Sequence, residues 1–150
     1  GIRLGGFEPT LEDGLNTVRR LRGTVDYFHV SYGYSADQEA IQRLKDSAYP
    51  YEQTIYAAQQ VKKLLVEEFR DHTPVIAVSG ITSPEMAEAI LQDTGVDFVS
   101  IGRGHLVNPD WTKDAMAGCD TGKCLHCKRC LWKQDKCPGI ALLKRKRGVK

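Results

Sequence analysis

The sequence has no cysteine before Cys119 and none after Cys137, so disulfides cannot frame the body of the chain. It has no apolar run long enough to cross a bilayer, and no signal peptide is evident at its start. Neither sign of charge is in excess, the formal net being +2 over 150 residues. No internal repeat appears beyond an alternation of short apolar runs with amphipathic stretches. These absences set aside membrane-spanning helices and disulfide-framed secreted scaffolds. A first methionine is missing as well. The chain opens on Gly1-Ile2-Arg3, the start expected of a processed product or of a piece of something longer. What is present is 41% hydrophobic residues, enough for a domain with a true core.

The most informative stretch runs from Pro74 to Trp111. Two apolar runs, Pro74 to Val78 and Asp97 to Ile101, each lead into glycine: Ser79-Gly80-Ile81 after the first, Gly102-Arg103-Gly104 after the second. Between them, Ser83-Pro84 is a good helix start, Met86, Ala87, Ile90 and Leu91 keep helical spacing, and Gly95 is a natural stop. The reading is strand, helix, strand in a parallel unit, with strands apolar throughout because both faces are buried. Glycine at the carboxyl end of a parallel strand lets backbone N–H groups turn toward an anion, and Arg103 adds a guanidinium fork suited to phosphate. That points to a phosphate cradle shared by two strand ends; two tight turns with a surface arginine are the plainer alternative.

In chain order, Gly1 to Gly6 predicts a strand carrying Arg3, and Thr10 with Asp13 predicts a helix start before Leu11, Leu15, Val18 and Leu21. Val25 to Ser31 alternates and is rich in β-formers. The segment from Tyr32 to Tyr51 reads as a long connection with a short helix over Ala36 to Lys45, either a substrate-side loop or a surface insertion. Gln53 to Phe69 predicts an amphipathic helix, and Asp110 to Ala117 a short helical region. Four βα units in a row fit half of a (β/α)₈ barrel, and periodicity alone fits an open doubly wound sheet as well. His29 lies within a strand and reads as a packed or hydrogen-bonded core residue. The run Lys144-Arg145-Lys146-Arg147 is either a nucleic-acid or acidic-partner contact or a solvated terminus.

Cys124, Cys127 and Cys130 recur every third residue, with Cys137 after a longer gap and Cys119 upstream. Five thiols, with His126 beside them, suffice for a four-coordinate site, and sulfur ligation suits zinc or a 4Fe–4S cluster. The triplet followed by Cys-Pro resembles ferredoxin-type ligation, with a longer last gap than that template has. Thiols that only pack are the remaining alternative. The clustering implies a reducing compartment, the cytoplasm.

The strings VIAVSGITSPEMAEAIL and DFVSIGRGHLVNPDW resemble the end of the barrel in Old Yellow Enzyme-like NADH:flavin oxidoreductases, whose signature runs D-x-V-x-x-G-R-x-x-x-x-x-P-x-W. VDYFHVSYGY resembles that family's sixth strand, GIRLGGFEP its arginine-bearing fifth, and CLHCKRC the cysteine-rich segment of branches related to dienoyl-CoA reductase. The resemblance implies that residues 1–118 are strands five to eight of the barrel and that 119–150 are a Cys-rich extension with a basic tail. It implies FMN, bound by Ser79 among others, with its phosphate held by Gly80, Ile81, Gly102 and Arg103 and its pyrimidine edge near Arg3. It also implies hydride transfer from NAD(P)H through flavin to an electron-poor, unsaturated carbonyl-type acceptor. Metal ligands would come from Cys119, Cys124, Cys127, Cys130 and Cys137. The family's first four strands, with the residues that grip the substrate carbonyl, have no counterpart here. The isolated chain is therefore expected to be catalytically incomplete, needing its missing half-barrel or a second copy of itself. No catalytic residue is assigned. A tRNA-dihydrouridine synthase-like flavoenzyme shares the Thr94-Gly95-x-Asp97 and Ile101-Gly102-Arg103 strings, and a zinc module touching nucleic acid is a third reading.

Overall fold

Four short strands, β1 (Ile2–Gly5), β2 (Phe28–Ser31), β3 (Val75–Val78) and β4 (Phe98–Ser100), pair in parallel in the order β1-β2-β3-β4. The computed structural model describes residues 1–33, 36–132 and 136–148. Strand neighbours follow chain order with no reversal, whereas a doubly wound sheet reverses its order at a switch point. The helices are α1 (Leu11–Leu21), α2 (Gln38–Lys45), α3 (Gln53–Lys63), α4 (Pro84–Thr94), α5 (Arg103–Val107), α6 (Trp111–Met116) and α7 (Pro138–Lys146). By packing, the chain forms two compact units, Gly1–Gly80 with Glu88–Ser100, and Ile81–Ala87 with Ile101–Lys150.

The first unit holds the whole sheet. Leu4, Phe28, Val30, Val75 and Ala77 share one face and are buried beside Val18 of α1 and Ile55, Ala58 and Val61 of α3. Thr10 and Asp13 form a reciprocal capping box on α1, so aspartate at the third position serves as well as glutamate here. Asp37 caps α2 with its carboxylate, accepting from Glu39 N (2.9 Å) and Ala40 N (3.1 Å), which makes the predicted short helix real. α3 runs on into a π-helical turn, Leu64–Glu68, which carries the helix to the expected end near Phe69. Asp97 joins two strands: its carboxylate accepts from Val75 N at 2.8 Å and from Lys62 Nζ at 2.8 Å.

Two expectations are corrected. β2 begins at Phe28 instead of Val25: both of its ladders start there, opposite Ile2 of β1 and Val75 of β3, and before it only the Tyr27 carbonyl takes part, accepting from Ile2 N at 3.1 Å. The strands are also not buried on both faces. Arg3, His29, Ile76 and Phe98 stand level across the other face, with Arg3 exposed, Phe98 56% exposed and the middle two half-buried. The helices of this unit cover one face only.

The second unit is built on α5, α6 and α7 around Val107, Trp111 and Leu143. Buried Asn108 donates to Asp114 (2.7 Å) and to the Thr121 carbonyl (3.2 Å), and Arg147 donates to the same Asp114 carboxylate at 2.6 Å. Lys146 pairs with Asp120 at 2.9 Å. Two of the four cations in the basic run therefore hold α7 against its own unit. A side chain on Gly139 would begin 2.8 Å from the Lys123 carbonyl, so the start of α7 lies directly on the chain just before Cys124. No helix among the described residues is long and apolar enough to cross a membrane.

Candidate functional site

The carboxyl end of β3 is where the backbone departs most from ordinary geometry. Buried Thr54, in the first turn of α3, donates its hydroxyl to the last strand carbonyl, Val78 O, at 2.7 Å. With that acceptor satisfied, the chain turns sharply: Ser79 has φ +111° and Gly80 φ +67°. A serine held at such an angle costs roughly 1–3 kcal/mol, a strain found where function requires it. Gly80 is required twice over, by its positive φ and because a β-carbon there would stand 2.8 Å from Glu52 Cγ. Sequence reading found Ser79 and Gly80 but missed Thr54 and Glu52; both sit at the start of α3, where helix periodicity masks a site role.

Arg3 and His29 are partners in register on the exposed face of the sheet, one strand apart. Arg3 is exposed and has no ion pair among the described residues. His29 is no ordinary packed core residue: its Nε2 is buried without a hydrogen-bond partner. Burial, and then the nearby Arg3 charge, hold the imidazole below its usual range, so the pair carries one fixed positive charge beside a neutral ring.

Within the second unit, Ile81 is buried and offers its backbone alone. Gly102 sits at the N-cap of α5 with open space on its Cα, and Arg103 is exposed and unpaired among the described residues. His105 has both ring nitrogens occupied. Nδ1 lies 2.8 Å from the Ile101 carbonyl and must donate, which leaves Nε2 to accept from Thr112 Oγ1 at 3.2 Å. Trp111 packs beside it, its ring centroid 6.1 Å from the imidazole. His105 is thus a structural brace of the α5–α6 corner. The six candidate flavin contacts divide between the units, Arg3, Ser79 and Gly80 in the first and Ile81, Gly102 and Arg103 in the second.

The donor set of the cysteine segment suits a metal, and its arrangement here does not. All five thiols are free, with Cys119, Cys127 and Cys130 exposed. Among the described residues, no three His, Cys, Asp or Glu side chains stand where they would hold an ion. Cys124 and His126 line an open recess with Thr82 and Lys123. Cys137 is the N-cap of α7 and makes no side-chain capping bond.

An aromatic group in the long connection went unread in the sequence. Tyr49 packs edge-on against Tyr51 (5.8 Å) and Tyr56 (5.2 Å), and burial pushes its hydroxyl up to about 12. Tyr34 and Ser35, in the same connection, lie outside the described residues.

The parallel sheet thus follows chain order, with glycine in the turns after β3 and β4, an exposed arginine within β1 and another just after β4. Residues 30–121 match the NADH:flavin oxidoreductase / NADH oxidase family, and the chain belongs to that family. It is 33% identical to an NADH oxidase of Thermoanaerobacter brockii over 121 residues, 79% of this chain and 17% of that protein. It is 35% identical to an NADH:acrylate oxidoreductase of Vibrio harveyi over 92 residues, 61% of this chain and 8% of that protein. A bilirubin reductase of Mediterraneibacter gnavus is 39% identical over 57 residues, 38% of this chain and 9% of that protein. The chain thus matches a small fraction of the length of each of these relatives.

Proposed function

We propose that these 150 residues supply the flavin-phosphate side of an FMN-dependent NAD(P)H:acceptor oxidoreductase. On this reading residues 1–118 are strands five to eight of a (β/α)₈ barrel and residues 119–150 a cysteine-rich extension. The observation that carries it is the strained Ser79-Gly80 turn at a strand end, in a parallel sheet whose order never reverses. Strand order supports the barrel over a doubly wound sheet, and β1 and β4, each with one neighbour, are the edges where the other four strands would add. The family membership disfavours the dihydrouridine synthase and zinc-module alternatives.

The residues present fit FMN. In the first unit the turned backbone at Ser79-Gly80 suits a phosphate and the unpaired Arg3 the polar edge of the ring; in the second, backbone at Ile81 and Gly102 and the exposed guanidinium of Arg103 suit a phosphate as well, each by its own chemistry. Bound flavin supplies the two-electron relay between a nicotinamide and an electron-poor alkene. The chain's own part is to bind and orient: Arg103 neutralises phosphate, Thr54 holds the β3 turn, and Arg3 places positive charge where reduced flavin becomes anionic. The acceptor names of the relatives, acrylate and bilirubin, share conjugated unsaturation, which supports that acceptor class. The missing half-barrel, or a second copy, completes the pocket. The cysteine segment is proposed to take 4Fe–4S or zinc on rearrangement, and no step is routed through it.

The test is flavin content of the intact protein with and without Arg103→Ala. Removing one charge-assisted phosphate contact is expected to weaken FMN binding by roughly ten- to a hundredfold. Undiminished flavin retention in the variant removes Arg103 from the site, and a parent protein without flavin removes the function. Metal analysis of the same preparation checks the cysteines; the absence of both iron and zinc refutes that part.

A further inference from the structure

We propose that His29 is a second ligand-contacting side chain of the Arg3 site, a neutral imidazole whose Nε2 donates a hydrogen bond to a carbonyl oxygen of the flavin's pyrimidine edge. The inference rests on the flavin reading above and adds a residue to it. Most buried polar groups in finished proteins have a partner, because an unmade bond costs the full desolvation of the group. Here Tyr49 Oη and Trp111 Nε1 are also unpartnered, but of the three only His29 stands in the row with Arg3 on the open face. His29 Nε2 has none within this chain's described residues. It is not there by accident of a mobile surface: His29 is in the middle of β2, held by register to Arg3 on one side and Ile76 on the other. Those two neighbours define the missing partner. Arg3 is a free cation on the adjacent strand, whose backbone lies roughly 4.8 Å from that of β2, and it calls for electron-rich oxygen or nitrogen. Ile76, and Phe98 beyond it, offer only apolar surface. A planar group with one polar, electron-rich edge and an apolar body matches that row, with the polar edge over Arg3 and His29.

The charge state suits the task. Because burial, and then the Arg3 charge, disfavour a second cation, His29 stays neutral, and in its Nε2–H tautomer it has one N–H to donate. A donor at a ring carbonyl favours the electron-rich reduced form over the oxidised one, so the residue raises the flavin's reduction potential as well as its retention.

The experiment uses the intact flavoprotein and four variants: His29→Leu, His29→Asn, His29→Gln and Arg3→Ala. Flavin dissociation constants and midpoint potentials are measured for each. Glutamine carries an amide N–H to about the reach of Nε2, whereas asparagine ends near Nδ1. The expected result is about three- to tenfold weaker flavin binding and a lower potential for the leucine and asparagine variants, with glutamine close to the parent. Equal values for all three and the parent overturn the proposal. Equal losses in all three also overturn it, since shape and not the hydrogen bond is then responsible. If Arg3→Ala weakens flavin while the His29 variants do not, the flavin site stands and His29 leaves it. If Arg3→Ala has no effect either, or the parent holds no flavin, the underlying assignment fails with it.

Discussion

The two faces of one sheet differ more than any two elements of the chain. On the helix-covered face Phe28, Val30, Val75 and Ala77 are fully buried, and every neighbour they need is within the first unit. On the other face, the same strands carry a free arginine, an imidazole with an unsatisfied nitrogen and an exposed phenylalanine. Alternation along each strand writes both faces into the same few residues, so stability and function are separated by parity. The lesson is that the covered face is complete within this unit, whereas the open face carries polar groups that find no partner in it.

Substitutions that break this division rank by size. Phe28→Ala on the covered face is expected to cost about 3–5 kcal/mol, read as a lower denaturant midpoint at unchanged slope. A cost under about 1 kcal/mol would mean that the face is less well packed than its burial indicates. Ser79→Gly goes the other way. Relief of the positive φ is expected to stabilise the fold by about 1 kcal/mol, while the turn's grip on phosphate is expected to loosen. A destabilised glycine variant would show that Ser79 is not strained.

A titration separates the faces more gently. Since the folded chain holds His29 below its ordinary pKa, the unfolded chain binds a proton that the folded ring does not, in the window just under about 6.5. Stability is therefore complete above that value and falls as pH drops through the window toward the folded pKa. His29→Leu removes this slope, and a variant with the parent's full slope in thermal melts assigns it to another group. The smallest effect belongs to Phe98→Ser, expected to change the stability of this chain by less than about 0.5 kcal/mol because the ring is mostly in solvent. A larger loss would show that the open face is covered by a second copy.

The covered face was legible in the sequence and the open face only in part. Helical spacing located α1, α3 and α4, and apolar runs located β3 and β4, because periodicity reports burial on one side. Strand order was not legible, since the same βα rhythm serves either winding, and the register of four parallel strands supplied it. Ser79, Gly80, Gly102 and Arg103 stood out because glycine at a strand end lets the backbone turn toward an anion and arginine suits phosphate, although tight turns with a surface arginine read the same way. Thr54 and Glu52 did not, since their role depends on how α3 is placed against β3. His29 was visible as a residue but read as core; only the register that puts it level with Arg3 shows what it lacks. α7 was hidden by its own charge: Lys144 to Arg147 read as a tail, while Leu143, Asp114 and Asp120 make it a packed helix.

Where α7 begins has a consequence for the thiols. Gly139 lies against the Lys123 carbonyl, so the segment carrying Cys124, Cys127, Cys130 and Cys137 is a ring closed without a covalent bond. In an open chain, gathering four side chains around one centre would first require its ends to meet, at an entropic cost that grows with the logarithm of the contour length. Here that freedom is already lost when α7 packs, whether or not anything binds. The part of the gathering cost that comes from bringing Lys123 and Gly139 together is therefore met by the fold, whatever the thiols themselves do.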